Sequence, residues 1–172
     1  MTFDLQKSID LLSRTPHVLE TLLQDLSEDW TSRNEGEHTW SPFDVLGHLI
    51  HGEETDWIPR TEIILSKSQE PFEAFDRFAQ QEKSRGKNLN ELLKEFKDLR
   101  EANLTKLRGF QLTEKELSMT GIHPALGKVT LRNLLATWTA HDLSHIAQIS
   151  RVMAKQYKEE VGVWVQYMKI ME

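Results

Sequence analysis

The sequence predicts an all-α protein, a bundle of long amphipathic helices. Apolar residues recur at three- and four-residue spacing along most of the chain, many of the helix breakers fall between those stretches, and no convincing pair of strands is visible. A chain of 172 residues is near the usual size of one domain and long enough to bury a core, so residues 1–172 are expected to form a single helical domain.

Leu5, Ile9, Leu12, Leu19, Leu22, Leu23 and Leu26 mark the first helix, which Pro16 should kink or divide. A polar stretch with Gly36 follows, and then Trp40-Ser41-Pro42, where Ser41 can cap a helix that Pro42 begins. That second helix runs from Pro42 to about Leu65, with Gly52 and Pro59 as points of weakness. From Ser66 to Lys87 the chain is polar with anchors at Phe72, Phe75 and Phe78. It reads as a long connection, a kind of segment that often covers or lines a site.

The third helix has the clearest pattern: Asn88 caps a stripe of Leu89, Leu92, Leu93, Phe96, Leu99 and Leu107. Leu112 to Glu116 offers a short capped turn, and Gly121, Pro124 and Gly127 predict a loop. The last long helix extends from Thr130 to about Ala154 without an internal Gly or Pro. The terminal VGVWVQYMKI fits a short helix or a strand, and a packing role is expected of it.

The formal net charge is −6. It leaves no basic excess for phosphates or anionic lipid head groups, so nucleic-acid and membrane-surface roles are disfavoured. No apolar run approaches the roughly 20 residues needed to span a bilayer, and the first residues lack a basic segment followed by an apolar one, so a cytoplasmic location is expected. There is no Cys, which excludes disulfides, thiolate ligands and a protein thiol nucleophile.

Histidines carry the functional signal. His141 and His145 lie four apart in the last helix, so both imidazoles emerge from one face. The stripe through Leu134, Leu135 and Trp138 continues inward at 141, 142 and 145 before resuming at Ile149, so the two histidines stand where the pattern asks for core residues. A third ligand is expected from the second helix. His48 falls nearer the apolar edge than His51, which is expected at the rim or in solvent. His17, His38 and His123 read as surface residues.

Three imidazoles without a thiolate suit a divalent ion such as zinc, nickel or iron and leave positions open for a small molecule. Asp44 and Gln148 are placed to orient ligands or bound water. A fourth protein ligand, Glu53 or His51, would instead close the site and favour a non-catalytic metal-binding bundle. A metal-free dimerisation module is the third reading. His141-Asp142-Leu143-Ser144-His145 is also similar to the H-E-x-x-H motif of zinc proteases. Asp is one methylene shorter than the Glu general base, and Glu159 and Glu160 supply no clear downstream ligand, so a protease is disfavoured. Trp57, Trp138 and Trp164 are expected in the core rather than in a pocket.

Taken together, Trp40-Ser41-Pro42 with Asp44 to Leu49, Gly121 to Gly127, Thr130 to Leu135 and His141 to Gln148 make the chain resemble the DinB/YfiT-like superfamily of metal-dependent enzymes. The resemblance implies a DinB-like four-helix bundle of up-down-down-up order, with the long connection between the second and third helices, often as a homodimer. It places the family's metal ligands on His48, His141 and His145. It also implies chemistry on a small molecule, hydrolysis or transfer that depends on a low-molecular-weight thiol.

Overall fold

A computed structural model describes residues 1–172. The helices are α1 (Leu5–Leu12), α2 (Thr15–Leu23), α3 (Glu28–Thr31), α4 (Pro42–Thr55), α5 (Trp57–Leu65), α6 (Ala79–Lys83), α7 (Leu89–Gly109), α8 (Glu114–Leu117), α9 (Leu131–Lys155) and α10 (Lys158–Val161). Strands β1 (Thr120–His123) and β2 (Gly127–Thr130) precede α9. Four legs form the bundle: α1 with α2, α4 with α5, α7, and α9.

Local chemistry starts three of those legs. Ser41, Asn88 and Thr130 each accept a hydrogen bond from the backbone N–H three residues on, while Asp44, Glu91 and Asn133 reach back to the capping residue. These reciprocal bonds satisfy donors that a helix start leaves free. Pro16 stands in the first turn of α2, where no intrahelical N–H is needed, and the first leg divides just before it. The second leg bends at Asp56, which ends α4 and precedes α5. Pro59 falls in the restarted first turn of α5, which explains why it does not break the leg.

Core contacts fix the leg directions. One apolar cluster joins Ile9 and Leu12, Trp57 and Ile58, Leu104 and Leu107, and Leu131 to Trp138. The other joins Leu19 and Leu23, Val45 to Ile50, Leu92 to Phe96, and Ile149. The first and fourth legs thus run opposite to the second and third, an up-down-down-up bundle. The parallel second and third legs cannot be joined by a tight turn, and residues 66–88 bridge them.

Between the clusters lies a buried polar layer. Arg100 on α7 donates to Asp142 on α9 through both terminal nitrogens, at 2.6 and 3.0 Å, and to Glu53 Oε1 on α4 at 2.8 Å. Glu53 also accepts from Trp138 Nε1 at 3.0 Å and from Asn103 Nδ2 at 3.0 Å, and Arg100 Nη1 reaches Leu12 O at 2.8 Å, so all four legs meet there. Burial alone would lower the Arg100 pKa, and the two carboxylates more than reverse it.

Four expectations need correction. Residues 120–130 form an antiparallel hairpin, with Gly121 opposite Val129 and His123 opposite Gly127, where the sequence predicts a loop. Gly127 adopts φ +72°, which closes the turn, and His123 Nδ1 accepts from Ala125 N and Leu126 N at 3.1 and 3.2 Å. The hairpin is held from outside, since Phe72 N donates to Ile122 O at 2.8 Å. The connection contains a short helix, α6, whose Ser84 and Gln80 lie against Gly47 of α4. The first leg ends at Leu23, leaving Leu26 exposed. The C-terminal segment forms α10 and two 3-10 turns, and Val163, Trp164 and Tyr167 are exposed; only Met171 is buried there.

Candidate metal centre

His48 lies on the buried side of α4, and His141 and His145 are one turn apart on α9. Because the polar layer holds α4 and α9 at a fixed height, the three rings meet at one point. His141 Nε2 lies 3.1 Å from His48 Nε2 and 3.1 Å from His145 Nε2. All three donor atoms fall within 4.8 Å of one another. Bonds of about 2.0–2.1 Å to a tetrahedral ion put two ligand nitrogens roughly 3.3 Å apart, close to the two 3.1 Å separations at His141, so the three rings form a group that could hold one metal ion.

The protonation states agree with that role. Burial, then the charge of His145, holds His48 down at about 3. Burial, then His145 and His48, does the same to His141, again about 3. Burial also lowers His145, against a hydrogen bond from its ring to Gln148 and the nearby charge of Asp142. His145 Nδ1 lies 2.8 Å from Gln148 Oε1. Since a carbonyl oxygen can only accept, that contact puts the proton on Nδ1 and leaves the Nε2 lone pair toward the other rings. Nδ1 of both His48 and His141 is buried without a protein partner, so each ring makes its polar contact through Nε2.

Aromatic rings wall the cluster. Trp40 is 4.7 Å and Phe75 5.3 Å from the His48 ring, and Trp57 is 5.2 Å from His141. A cavity of about 260 Å³ opens beside His48 and His141, bounded by Trp57, Phe72 and Phe75 and by His123, Leu126 and Val129 of the hairpin. A larger groove of about 770 Å³ lies between the α3 region and the start of α7, but its lining is mainly polar and lacks the three histidines.

The remaining expected site residues are placed as follows. Asp44 closes the capping box, its Oδ2 accepting from Ser41 N at 2.9 Å and Ser41 Oγ at 2.6 Å. His51 is not at the rim: it is buried, its ring 4.7 Å from Phe75 and its Nδ1 3.3 Å from Lys83 Nζ. It does not join the converging donors. Both oxygens of Glu53 are engaged by Arg100, Trp138 and Asn103, so no fourth ligand comes from it. Asp142, fully buried against Arg100, does not occupy the general-base position of a zinc protease.

Trp138 is a core residue and stacks on Trp57 at 5.7 Å, but Trp57 also lines the cavity, and Trp164 is exposed. Asp56 and Arg60 line the cavity too, unmarked by the sequence pattern, and so does His123, half-buried where the sequence predicts a surface residue. Asp56 lies eight residues after His48 on the same helical face, a spacing that could have marked it.

Comparison with known proteins bears on the fold and the family. The fold is similar to that of YfiT from Bacillus subtilis, described as a probable metal-dependent hydrolase with an unusual four-helix bundle topology. The TM-score is 0.78 with 20% identity, over 90% of each chain. Among curated proteins there is no match. The DinB superfamily profile matches residues 11–149, a span that includes all three converging histidines, and the chain belongs to the DinB superfamily.

Proposed function

We propose that the protein is a metal-dependent enzyme acting on a small molecule, with His48, His141 and His145 holding one divalent ion, zinc or nickel before iron. The reading rests on one observation: three neutral Nε2 atoms converge beside a cavity, with no carboxylate or fourth imidazole among them. An open position of this kind belongs to catalytic rather than structural sites. When bound, the ion supplies Lewis-acid activation, lowering the pKa of a water or of a small-molecule thiol so that a nucleophile exists near neutral pH.

The chain's own residues prepare that chemistry. Gln148 fixes the His145 tautomer, Asp44 secures the start of the helix that carries His48, and Trp57 and Phe75 pack against the imidazoles. The description of YfiT favours hydrolysis, and the resemblance to the superfamily adds thiol-dependent transfer. The chain has no Cys, so any sulfur nucleophile must come from a second substrate.

Metal analysis of untagged protein, followed by assays on ester, amide and electrophilic probes with and without a low-molecular-weight thiol, tests the proposal. About one ion per chain is expected, with turnover lost in His145→Ala. Substoichiometric metal after incubation with zinc, nickel and iron in turn, or rates equal to those of the variant, overturns it.

A further inference from the structure

The cavity continues away from the imidazoles along two antiparallel helical ladders. His48, Gly52 and Asp56 step along α4, and His141, Thr137 and Asn133 step back along α9. Eight residues of helix rise about 12 Å. The far end of the cavity is therefore well beyond bonding reach of the three rings and is walled by its own polar pair, Asp56 and Arg60.

That pair is close in space but incompletely bonded. Arg60 Nη2 lies 2.7 Å from Asp56 Oδ1, an oxygen closed off from solvent, while Oδ2 takes no hydrogen bond from the protein. Nη2 also donates to Glu73 O, 3.2 Å away, the one hydrogen bond the Arg60 side chain makes outside that pair. Both side chains are largely withdrawn from solvent, with 8% of Arg60 and 14% of Asp56 exposed. The Arg60 guanidinium lies 5.4 Å from the centre of the Phe72 ring, which holds its plane in place. An acceptor and several donors are thus presented together, with no net charge. Burial, opposed by Arg60, raises the Asp56 pKa to about 6, so the carboxylate is mainly ionised and acceptor-only at neutral pH.

Charge decides among ligand groups. A carboxylate would meet Arg60 but repel Asp56, and an ammonium would do the reverse. A neutral group that both donates and accepts, an amide, satisfies both residues and releases neither from its partner. We propose that Asp56 and Arg60 form a specificity subsite for the amide of a small substrate whose reacting group lies at His48 and His141 and whose apolar part rests on Trp57 and Phe72. This rests on the proposed reaction centre only for which end of the substrate reacts. At about 260 Å³ the cavity is below the usual range of ~300–1,000 Å³ for drug-sized ligands, which limits the substrate to a small metabolite.

Three planar probes of nearly equal shape test the subsite: benzamide, benzoate and benzamidinium, titrated into the full chain as purified and again after EDTA. The reporter is the Trp57 indole N–H resonance. Benzamide is expected to bind roughly tenfold more tightly than either charged probe, an advantage lost in Asp56→Ala and in Arg60→Met. Asp56 makes no side-chain capping bond, and a melting curve of each variant checks that the fold survives loss of the ion pair. Arg60→Lys is a milder second variant and should keep part of the preference. Equal binding of the three probes, a benzamide advantage that survives both truncations, or no movement of the Trp57 signal overturns the subsite. If benzamide selection persists in protein that takes up no metal, the subsite stands and the enzyme reading falls.

Discussion

Arg100 and Asp142 form a two-pronged ion pair in the middle of the bundle, 42 positions apart in sequence and both essentially solvent-free. Asp142 is the immediate neighbour of His141. The contact that fixes the height of α9 against α7 therefore also fixes where the His141 ring emerges, and Glu53 ties α4 to the same guanidinium.

Arg100→Met should destabilise the fold by about 3–5 kcal/mol, because it strands two buried carboxylates without a counter-charge. Urea denaturation measures this. A loss below about 1 kcal/mol would mean the layer does not hold the legs together. The same variant should bind metal more weakly than wild type even where it remains folded, since α4 and α9 lose their common anchor.

His48→Ala and His51→Ala separate two buried histidines on one helix. The first should abolish stoichiometric zinc uptake, measured by elemental analysis, and the second should retain it, since His51 faces Lys83 and Phe75. Gln148→Leu, which removes the acceptor on His145 Nδ1, should weaken metal affinity about 10–100-fold without abolishing it. Equal uptake by wild type and His48→Ala would remove the proposed centre.

Gly121→Ala should distort the cavity wall. A Cβ there would sit 2.5 Å from a Phe72 ring carbon and 2.9 Å from Ile64. Overpacking of this kind costs about 1–3 kcal/mol. A melting curve and the Trp57 indole shift together should register both the loss and the displaced ring.

Glu35 provides a pH test away from the histidines. Arg151 donates to it through Nη2 at 2.5 Å and through Nε at 3.1 Å, and Lys155 lies 3.1 Å away. The Arg151 hydrogen bond, opposed by burial and aided by Lys155, holds its carboxyl below 4.5. A lowered folded pKa means stability fully present above the unfolded value and lost as pH falls through the folded one. With Arg151 partly exposed, wild type should exceed Glu35→Gln by only about 1 kcal/mol or less at pH 7, and the difference should shrink as the pH is taken down through the lowered folded value. A constant difference across that range would exclude the linkage.

Much of this was legible in the residues, and the exceptions share a cause. Ser41, Asn88 and Thr130 announce their helices because a cap is a local interaction between residues three apart. His141 and His145 announce a site because helical phase puts them in a stripe of core residues. His51 departs from its helical phase because α4 is packed on nearly every side, by α6 and its capping residue at Gly47 and by Trp57 at Gly52, so phase no longer separates inside from outside. Arg100 leaves no mark in the sequence because a buried cation looks like a surface one until Glu53 and Asp142 surround it. The hairpin depends on Phe72, far away in sequence, and four-residue strands carry too little alternation to show themselves.

The segment joining the two parallel legs has a double duty. It must cross the bundle for topological reasons, and in crossing it supplies Phe72 and Phe75 to the cavity. The imidazoles, by contrast, stand on the rigid frame. Replacements in the crossing strap can therefore retune what the cavity admits while the ion-holding geometry stays constant, much as a lock is rekeyed without replacing the door.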